Sequence, residues 1–394
     1  MVTEVAQPGR WDLPLRVIYL DHCAKLSGGE IALARMLPAL RPEVEPLVIL
    51  GEDGPLVARL EGLGIPVEIL PLDPAVRDVR KDTVSSRGAS LASAARVAPY
   101  ILELTRTLRL LRPDLVHTNS LKAALYGGLA GRLARVPVVW HVRDRIAADY
   151  LPPAAVGLVR ASSRVLPTAV VANSQCTLAT LPAARHGAVV DNSVVNDPLP
   201  TIRVAPHHGQ NVIIIGVVGR LAPWKGQHIF LEAFATALRS TTAQARIVGS
   251  ALFGEDDYAA SLRRQAEELG IAGQVEFRGF QEDVFAELAE LDVLVHCSTS
   301  PEPFGQVVVE GMAAGLAVIA AAEGGPAEIV AHGVDGLLVP PRRPDLLADA
   351  LTRLVANPSL RRSLGAEALL SSARFAPETT AQQVLTVYRR VLSR

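Results

Sequence analysis

The sequence predicts an α/β protein made of two Rossmann-like, doubly wound domains facing across a cleft. Three observations carry this. Short runs of Val, Ile, Leu and Ala alternate with amphipathic stretches along both halves of the 394-residue chain, which is the pattern of parallel strands with covered faces. A segment carrying three Pro and two His, 197–211, separates two such alternating sets. Polar, glycine-bearing turns fall just past several apolar runs, at the edge where open parallel sheets take ligands.

The elements follow in order. Residues 1–14 carry Glu4, Arg10 and Asp12 without an apolar signal core and read as a disordered lead-in. The first domain is expected over 15–196. Residues 16–20 read as a strand, Ser27-Gly28-Gly29-Glu30 as a turn, and 31–40 as a helix. Residues 46–50 and 66–70 are strand candidates. Residues 72–98 hold Asp73, Arg77, Asp78, Arg80, Lys81 and Arg87 among small residues, a long polar insertion that is either a substrate-side loop or a solvated connector. A helix over 100–111, a short buried strand over 115–117, a helix over 122–134 and a strand over 136–141 complete the readable part of this half.

The second domain is expected over 212–376. Residues 212–218 read as a central strand, followed by Gly219-Arg220 and a loop carrying Trp224-Lys225-Gly226. Helices are predicted over 228–238, 258–269 and 284–291, and strands over 245–248, 275–277, 293–295 and 317–320. Pro326 opens a short helix, as proline does at a first helical position, and Gly333 stops it. Residues 377–394 are read as a C-terminal helix that packs back on the first domain.

Composition bounds the function. Hydrophobic residues make up 49% of the chain and aromatics only 4%, so large cores are built from aliphatic side chains. A net charge of −1 provides no global field for nucleic acid. The three cysteines, Cys23, Cys176 and Cys297, lie far apart with no CxxC, which argues against a metal cage or disulfide framework and fits a reducing cytoplasm. The longest apolar stretch, 311–322, is about 12 residues against the roughly 20 of a membrane span. Arg77, Arg80, Lys81 and Arg87 leave peripheral contact with an anionic headgroup open, which would put the protein at the inner membrane face. The Ala- and Arg-rich, Lys-poor composition suggests a high-GC bacterial source.

The densest chemistry lies in 301–310, Pro-Glu-Pro-Phe-Gly-Gln-Val-Val-Val-Glu. Glu302 and Glu310 flank a chain break at Pro303 and Gly305, between a strand and a helix start. Such a turn places backbone N–H groups beside a carboxylate and can hold a phosphorylated, hydroxyl-rich ligand. The two glutamates read as an acid–base pair, as hydroxyl ligands, or, for Glu302, as an anion on the helix dipole. Arg220 and Lys225 suit a pyrophosphate, a fork and a point charge respectively. Gly28-Gly29 and Gly324-Gly325 each precede a helix, as phosphate cradles or plain turns. His22, His117, His141 and His296 fall at predicted strand ends, where they favour a polar site without metal-ligand spacing. No GxGxxG is present, which weakens a dinucleotide reading.

Taken together, Gly219-Arg220, Lys225-Gly226, Gly279-Phe280, Glu302-Pro-Phe-Gly through Glu310, and Gly324-Gly-Pro-Ala-Glu328 resemble the family-4 retaining glycosyltransferases (glycosyl transferases group 1) of GT-B fold. The likeness covers most of the second half. In the first half it is an outline: Gly28-Gly29-Glu30, Val116-His117, and Trp140-His-Val-Arg-Asp144. The resemblance implies that Arg220 and Lys225 bind a donor pyrophosphate and that Glu310 holds ribose hydroxyls. It implies that Glu302 meets hydroxyls of the donor sugar, and that backbone amides around Phe304, Gly305 and Gln306 touch sugar and phosphate. Gly28 and Gly29 would close on the phosphates, Gly279 and Phe280 would line the base pocket, and His141 would sit near the reacting carbon. Val248-Gly249-Ser250 departs from the family pattern, where many members carry a second glycine.

The expected activity is transfer of a hexose-type sugar from a nucleoside-diphosphate sugar to an acceptor hydroxyl with retention. The attack is front-face, no metal or cofactor takes part, and the leaving phosphate serves as base. The acceptor is left open between a glycan, a lipid-linked saccharide and a small metabolite. Two rivals stand beside this reading. A sugar-nucleotide epimerase or phosphorylase would show product without acceptor or dependence on free phosphate, and a silent sugar-nucleotide-binding protein would show no donor hydrolysis.

Overall fold

The computed structural model describes residues 13–77, 89–194, 212–251 and 254–393, leaving aside the side chains of 89–95. The expected linker at 197–211, nearly all of the lead-in and 78–88 of the polar insertion lie outside the described residues. The chain divides into two compact units, one running to Ser193 and resuming at Pro377, the other spanning Val194–Ala376.

The first unit runs β1 (Leu15–Asp21), α1 (Gly28–Leu40), β2 (Val44–Leu50), α2 (Pro55–Gly62), β3 (Val67–Ile69), α3 (Pro74–Arg77), α4 (Ala89–Leu111), β4 (Leu115–Thr118), α5 (Leu121–Ala134), β5 (Val138–Val142), α6 (Pro153–Ser163), β6 (Ala169–Ala172), α7 (Gln175–Ala179) and β7 (Ala188–Val189). The strands form one parallel sheet in the order β3-β2-β1-β4-β5-β6-β7. The order reverses between β1 and β4, and that is the switch point where such sheets take ligands.

Strand alternation sorts the core into two layers. Val17 and Tyr19 of β1 face α1, packing with Leu33 and Leu37. Ile18 and Leu20 face the other way, toward Leu104, Ala124 and Trp140. Residues 377–392 form a helix whose Ala381, Val384, Leu385, Tyr388 and Val391 recur at helical spacing. These side chains are buried in the α1 layer.

The second unit runs β8 (Ile214–Val218), α8 (Gln227–Leu238), β9 (Gln244–Val248), α9 (Asp256–Glu268), β10 (Val275–Gly279), α10 (Val284–Ala289), β11 (Val293–His296), α11 (Gln306–Ala313), β12 (Ala317–Ala321), α12 (Pro326–Ile329), β13 (Leu337–Val339), α13 (Pro344–Ala356) and α14 (Pro358–Ser372). The helix that rejoins the first unit is α15 (Pro377–Leu392). The second sheet is parallel throughout, in the order β10-β9-β8-β11-β12-β13. Its switch point lies between β8 and β11. Phe230 and Phe234 of α8 fill one face of this sheet, and Val308, Met312 and Phe375 fill the other.

Two expectations change. The polar insertion is not one long loop. Residues 74–77 are helical, and α4 begins at Ala89 rather than at Tyr100. The Ala-rich run before Pro99 has strong helix propensity, and the helix passes through the proline. Gly28 and Gly29 do not form a turn ahead of α1; they are its first turn, behind the N-cap Ser27.

Candidate active site

In the second unit the site is assembled where the chain leaves β8 and β11. Past β8, Gly219 and Arg220 lead into a tight turn over Pro223–Lys225, closed by Gly226 at φ +75°. A side chain there would put its Cβ 2.0 Å from the Cys297 carbonyl oxygen, so only glycine lets this loop press against the backbone that follows β11. The consequence is a meeting of charges. Lys225 Nζ lies 2.6 Å from Glu302 Oε1, and His296 Nε2 lies 2.9 Å from the same oxygen. The Ser298 hydroxyl also donates to it.

Glu302 is only 7% exposed. Burial alone would raise its pKa, but Lys225 and His296 outweigh it and hold the carboxyl well below the usual carboxylate range. Three donors converge on Oε1, and none of the described residues donates to Oε2. The backbone of Glu302 is pinned as well. Its carbonyl accepts from Gly325 N at 2.8 Å, and a Cβ on Gly324 would fall 2.5 Å from that same carbonyl oxygen. Close backbone packing therefore accounts for Gly324-Gly325, and the helix behind them, α12, is a single turn.

Gly305, at φ +102°, opens α11. The first N–H groups of α11, on Gln306 and Val307, have no intrahelical acceptor and carry the positive end of the dipole. Phe304 beside them is buried edge-to-face on Phe375, so this stretch offers backbone rather than an aromatic face. One turn further on, Glu310 is 7% exposed and accepts from Gln306 Nε2 at 3.1 Å. Arg220 lies 3.5 Å from Glu255, and both Arg220 and Lys225 lie over the Trp224 ring, Lys225 at 4.5 Å. Gly279 ends the edge strand β10 at φ +69°, and Phe280 after it is 69% exposed.

The first unit gathers a second constellation at the C-terminal edge of its sheet. Asp21 Oδ1 lies 3.0 Å from His22 Nδ1, which lies 2.8 Å from Ser120 Oγ. Asn119 Nδ2 donates to Asp21 Oδ2 at 2.7 Å and to the Gly29 carbonyl at 3.2 Å. Arg143, the residue after β5, donates through Nε to Asn119 Oδ1 at 2.9 Å and through Nη1 to Asn192 Oδ1. A Cβ on Gly29 would come within 3.1 Å of Arg143 Cδ. Glu30, in the first turn of α1, is buried, and burial followed by the Asp21 charge pushes its pKa up.

Behind this edge lies a buried row. Tyr388 Oη of α15 is 3.1 Å from Tyr19 Oη and 2.7 Å from His117 Nδ1, and His117 Nε2 is 3.1 Å from His141 Nδ1. Asp21, His22 and Cys23 also offer atoms within 4.8 Å of one another, a grouping able to hold a metal ion. The Asp21 oxygens and His22 Nδ1 are, however, engaged in the hydrogen bonds just described.

Of the residues singled out in sequence, the structure brings Lys225, Glu302 and His296 into direct contact, joins Gln306 to Glu310, and links His117 to His141. Gly28 and Gly29 stay with the first unit. Sequence reading quoted Arg143 in the Trp140–Asp144 stretch without giving it a role, and missed Asn119, Ser298 and Tyr388. For Arg143 and Asn119 there was a local signal, a position just beyond a strand end. For Tyr388 there was none.

The fold and these motifs define a family. Residues 27–199 match the family described as "Glycosyl transferase 4-like domain" and residues 200–371 match "Glycosyl transferases group 1". With its two parallel α/β units, the chain belongs to the group 1 glycosyltransferases of GT-B fold. It is similar to Anabaena HepE, solved with UDP and glucose, at 30% identity and TM-score 0.81, over 95% of this chain and 100% of that one. It is 34% identical to a D-inositol 3-phosphate glycosyltransferase of Corynebacterium urealyticum, over 45% of this chain and 42% of that protein. It is 35% identical to an exopolysaccharide phosphotransferase of Streptomyces coelicolor, over 44% of this chain and 18% of that protein. The chain thus spans less than half the length of these curated relatives. Among the described residues, no helix is long and apolar enough to cross a membrane.

Proposed function

We propose that the chain is a retaining glycosyltransferase that moves a hexose-type sugar from a nucleoside-diphosphate sugar to an acceptor hydroxyl. The observation that carries this is the Lys225–Glu302–His296 cluster beside the N-terminus of α11. It combines a cation for phosphate, a carboxylate with one oxygen open to a hydroxyl, and oriented backbone N–H groups. HepE, similar over most of the chain, is solved with UDP and with UDP-glucose, which favours a uridine-diphosphate sugar among the possible donors.

In this reading Arg220 and Lys225 take the pyrophosphate. Glu310 holds the ribose hydroxyls, and Glu302 Oε2 accepts from a sugar hydroxyl. The amides of Gly305 and Gln306 meet phosphate, and Phe280 stacks on the base. Charge develops on the leaving diphosphate as its bond to the anomeric carbon breaks, and Lys225, Arg220 and the α11 dipole stabilise that charge. The acceptor oxygen bonds to the same face of the carbon and passes its proton to the departing phosphate. Neither glutamate serves as nucleophile, and protein cations do the work that a metal does elsewhere. The bacterial relatives support a bacterial source, and this reading keeps a cytoplasmic setting, with contact at the inner membrane face as an option for a lipid-linked acceptor.

The test is a thermal-shift screen of UDP-, GDP- and ADP-sugars. A true donor raises the melting temperature with log concentration. NMR of the product's anomeric proton then reads the stereochemistry. A flat response to all three donors, or an inverted product, would sink the proposal.

A further inference from the structure

We propose that the first unit carries a docking surface for an anionic phospholipid bilayer, at the N-terminal edge of its sheet, opposite the edge that holds Asp21, His22 and Arg143. The inference goes beyond the glycosyl-transfer reading and does not depend on it. Helices α4, α5 and α6 cover one face of the sheet, and each ends on a similar segment. Arg109-Leu110-Leu111-Arg112 spans the end of α4, Arg132-Leu133-Ala134-Arg135 spans the end of α5, and Arg164-Val165-Leu166 follows α6. The apolar residue in second place is exposed each time, Leu110 at 81%, Leu133 at 49% and Val165 at 55%. The segments are neighbours. Arg109 Nη2 donates to the Leu133 carbonyl at 2.7 Å, and Arg132 Nη1 donates to the Val165 carbonyl.

Those two bonds satisfy carbonyls near helix ends and account for Arg109 and Arg132. The exposed side chains of Arg112, Arg135, Arg164 and Arg185 have no hydrogen-bond or ion-pair partner among the described residues. The sequence builds this in, because no Asp or Glu occurs in 115–143 or in 150–190. The whole chain has a net charge of −1, and arginines of the second unit such as Arg278 and Arg343 have carboxylate partners. The positive excess is therefore local to this edge. Arg112 and Arg135 also lie at φ +49° and +61°, just past a helix where glycine is the favoured residue. Arg132, Arg135 and Arg185 line a concavity of about 320 Å³ together with Pro137, Leu166 and Pro167. Guanidinium groups beside apolar walls suit the phosphate of a lipid headgroup. Arginines alone would suit any polyanion. The exposed Leu110, Leu133 and Val165 among them select a bilayer, whose interface takes apolar side chains beside phosphate, whereas a nucleic-acid backbone engages the cations alone.

The experiment is sedimentation of the full chain with vesicles of phosphatidylcholine alone, and with vesicles containing about one-third phosphatidylglycerol. Wild type is expected to bind the anionic vesicles, less so at high salt, and to leave the neutral ones. Each arginine near an anionic surface is worth about fivefold in partitioning, so Arg135→Gln with Arg185→Gln should bind roughly 25-fold less. Leu110→Ser with Leu133→Ser should bind about tenfold less through lost apolar burial. All four positions are exposed, and a melting temperature within about two degrees of wild type shows that each variant folds. Arg353→Gln with Arg362→Gln makes the same charge change at exposed positions of the second unit and should bind as wild type does. Absence of wild-type binding to anionic vesicles overturns the inference, and so does an equal loss in the second-unit variant. Full binding by the leucine variant, or tighter binding of wild type to a duplex oligonucleotide than to vesicles, overturns the bilayer as occupant. Release from vesicles by inorganic phosphate, beyond that caused by chloride at equal ionic strength, overturns it in favour of a free-phosphate site.

Discussion

Lys225 Nζ and Glu302 Oε1, 77 residues apart in sequence, lie 2.6 Å from one another. His296, buried like Glu302, completes the cluster. The buried charge of Glu302 is tolerated because the partly exposed Lys225 sits beside it. The cation expected on phosphate and the carboxylate expected on sugar are thus a single electrostatic unit.

That coupling gives the first prediction. Glu302→Gln keeps the shape and removes the charge, leaving Lys225 without its counter-ion. Breaking a buried pair by removing one member costs about 3–5 kcal/mol, so the melting temperature falls by several degrees. The kcat/KM for sugar transfer is expected to drop about 100-fold or more. Lys225→Ala should do comparable damage. The double variant should lose less than the sum, with a coupling of roughly 1–3 kcal/mol. Strictly additive losses in denaturant melts and initial rates would show that the two act independently.

A second prediction separates backbone strain from close packing. Gly226 and Gly333 both have positive φ, +75° and +79°. A Cβ on Gly333 meets nothing within 4 Å, while one on Gly226 lies 2.0 Å from the Cys297 carbonyl oxygen. Gly333→Ala should cost only the left-handed strain, about 1–2 kcal/mol, with activity intact. Gly226→Ala must push the loop off Cys297, and should cost more and carry Lys225 away from Glu302. Equal stability losses in urea melts, or a Gly226→Ala enzyme with full activity, would contradict this account.

What was legible in sequence follows the reach of local pattern. The second sheet could be read almost strand by strand, because its core strands, such as Ala317–Ala321, are aliphatic runs bounded by glycine or charge. Glu302, Gly305 and Glu310 stood out because a strand, a break and a helix follow one another within a short stretch. The residues after β5 were hidden. The strand Ala169–Ala172 is only four small apolar residues, too short for periodicity to separate it from a loop. The start of α4 was masked by Pro99, whose local penalty the surrounding helix absorbs. Nothing local connects Tyr388 to Tyr19 across 369 residues. That contact exists because α15 lays its apolar stripe against α1, and the stripe does not name its partner.

The buried histidines set a pH dependence. Burial lowers the pKa of His117 from its ordinary 6.5 to about 3, and lowers that of His141 well below the same value. Between those limits the unfolded chain binds protons that the folded chain refuses, so stability rises with pH through that window. The contribution is fully present above pH 6.5 and is lost as pH falls below it. Melting temperature is expected to decline steadily from pH 6.5 toward about 4.5, ahead of most carboxylate titration. His117→Asn should shallow that slope by about one proton. A slope unchanged in His117→Asn would mean that His117 is already protonated in the fold.

The last prediction concerns Phe280, which follows the left-handed Gly279 at the end of β10 and leaves 69% of its surface in solvent. An aromatic ring this exposed contributes little to the core, so Phe280→Ala should shift the melting temperature by no more than about a degree. If the ring stacks on the donor's base, its loss removes about 1–3 kcal/mol of binding, roughly five- to hundredfold in Kd. The catalytic step is remote from the base, so kcat at saturating donor should hold within about twofold while KM rises, as expected when uniform binding is removed. Calorimetric titration with the free nucleoside diphosphate isolates the effect, because it contains the base and omits the sugar. Unchanged affinity for the diphosphate would remove Phe280 from the base pocket and leave Gly279 a purely conformational role there.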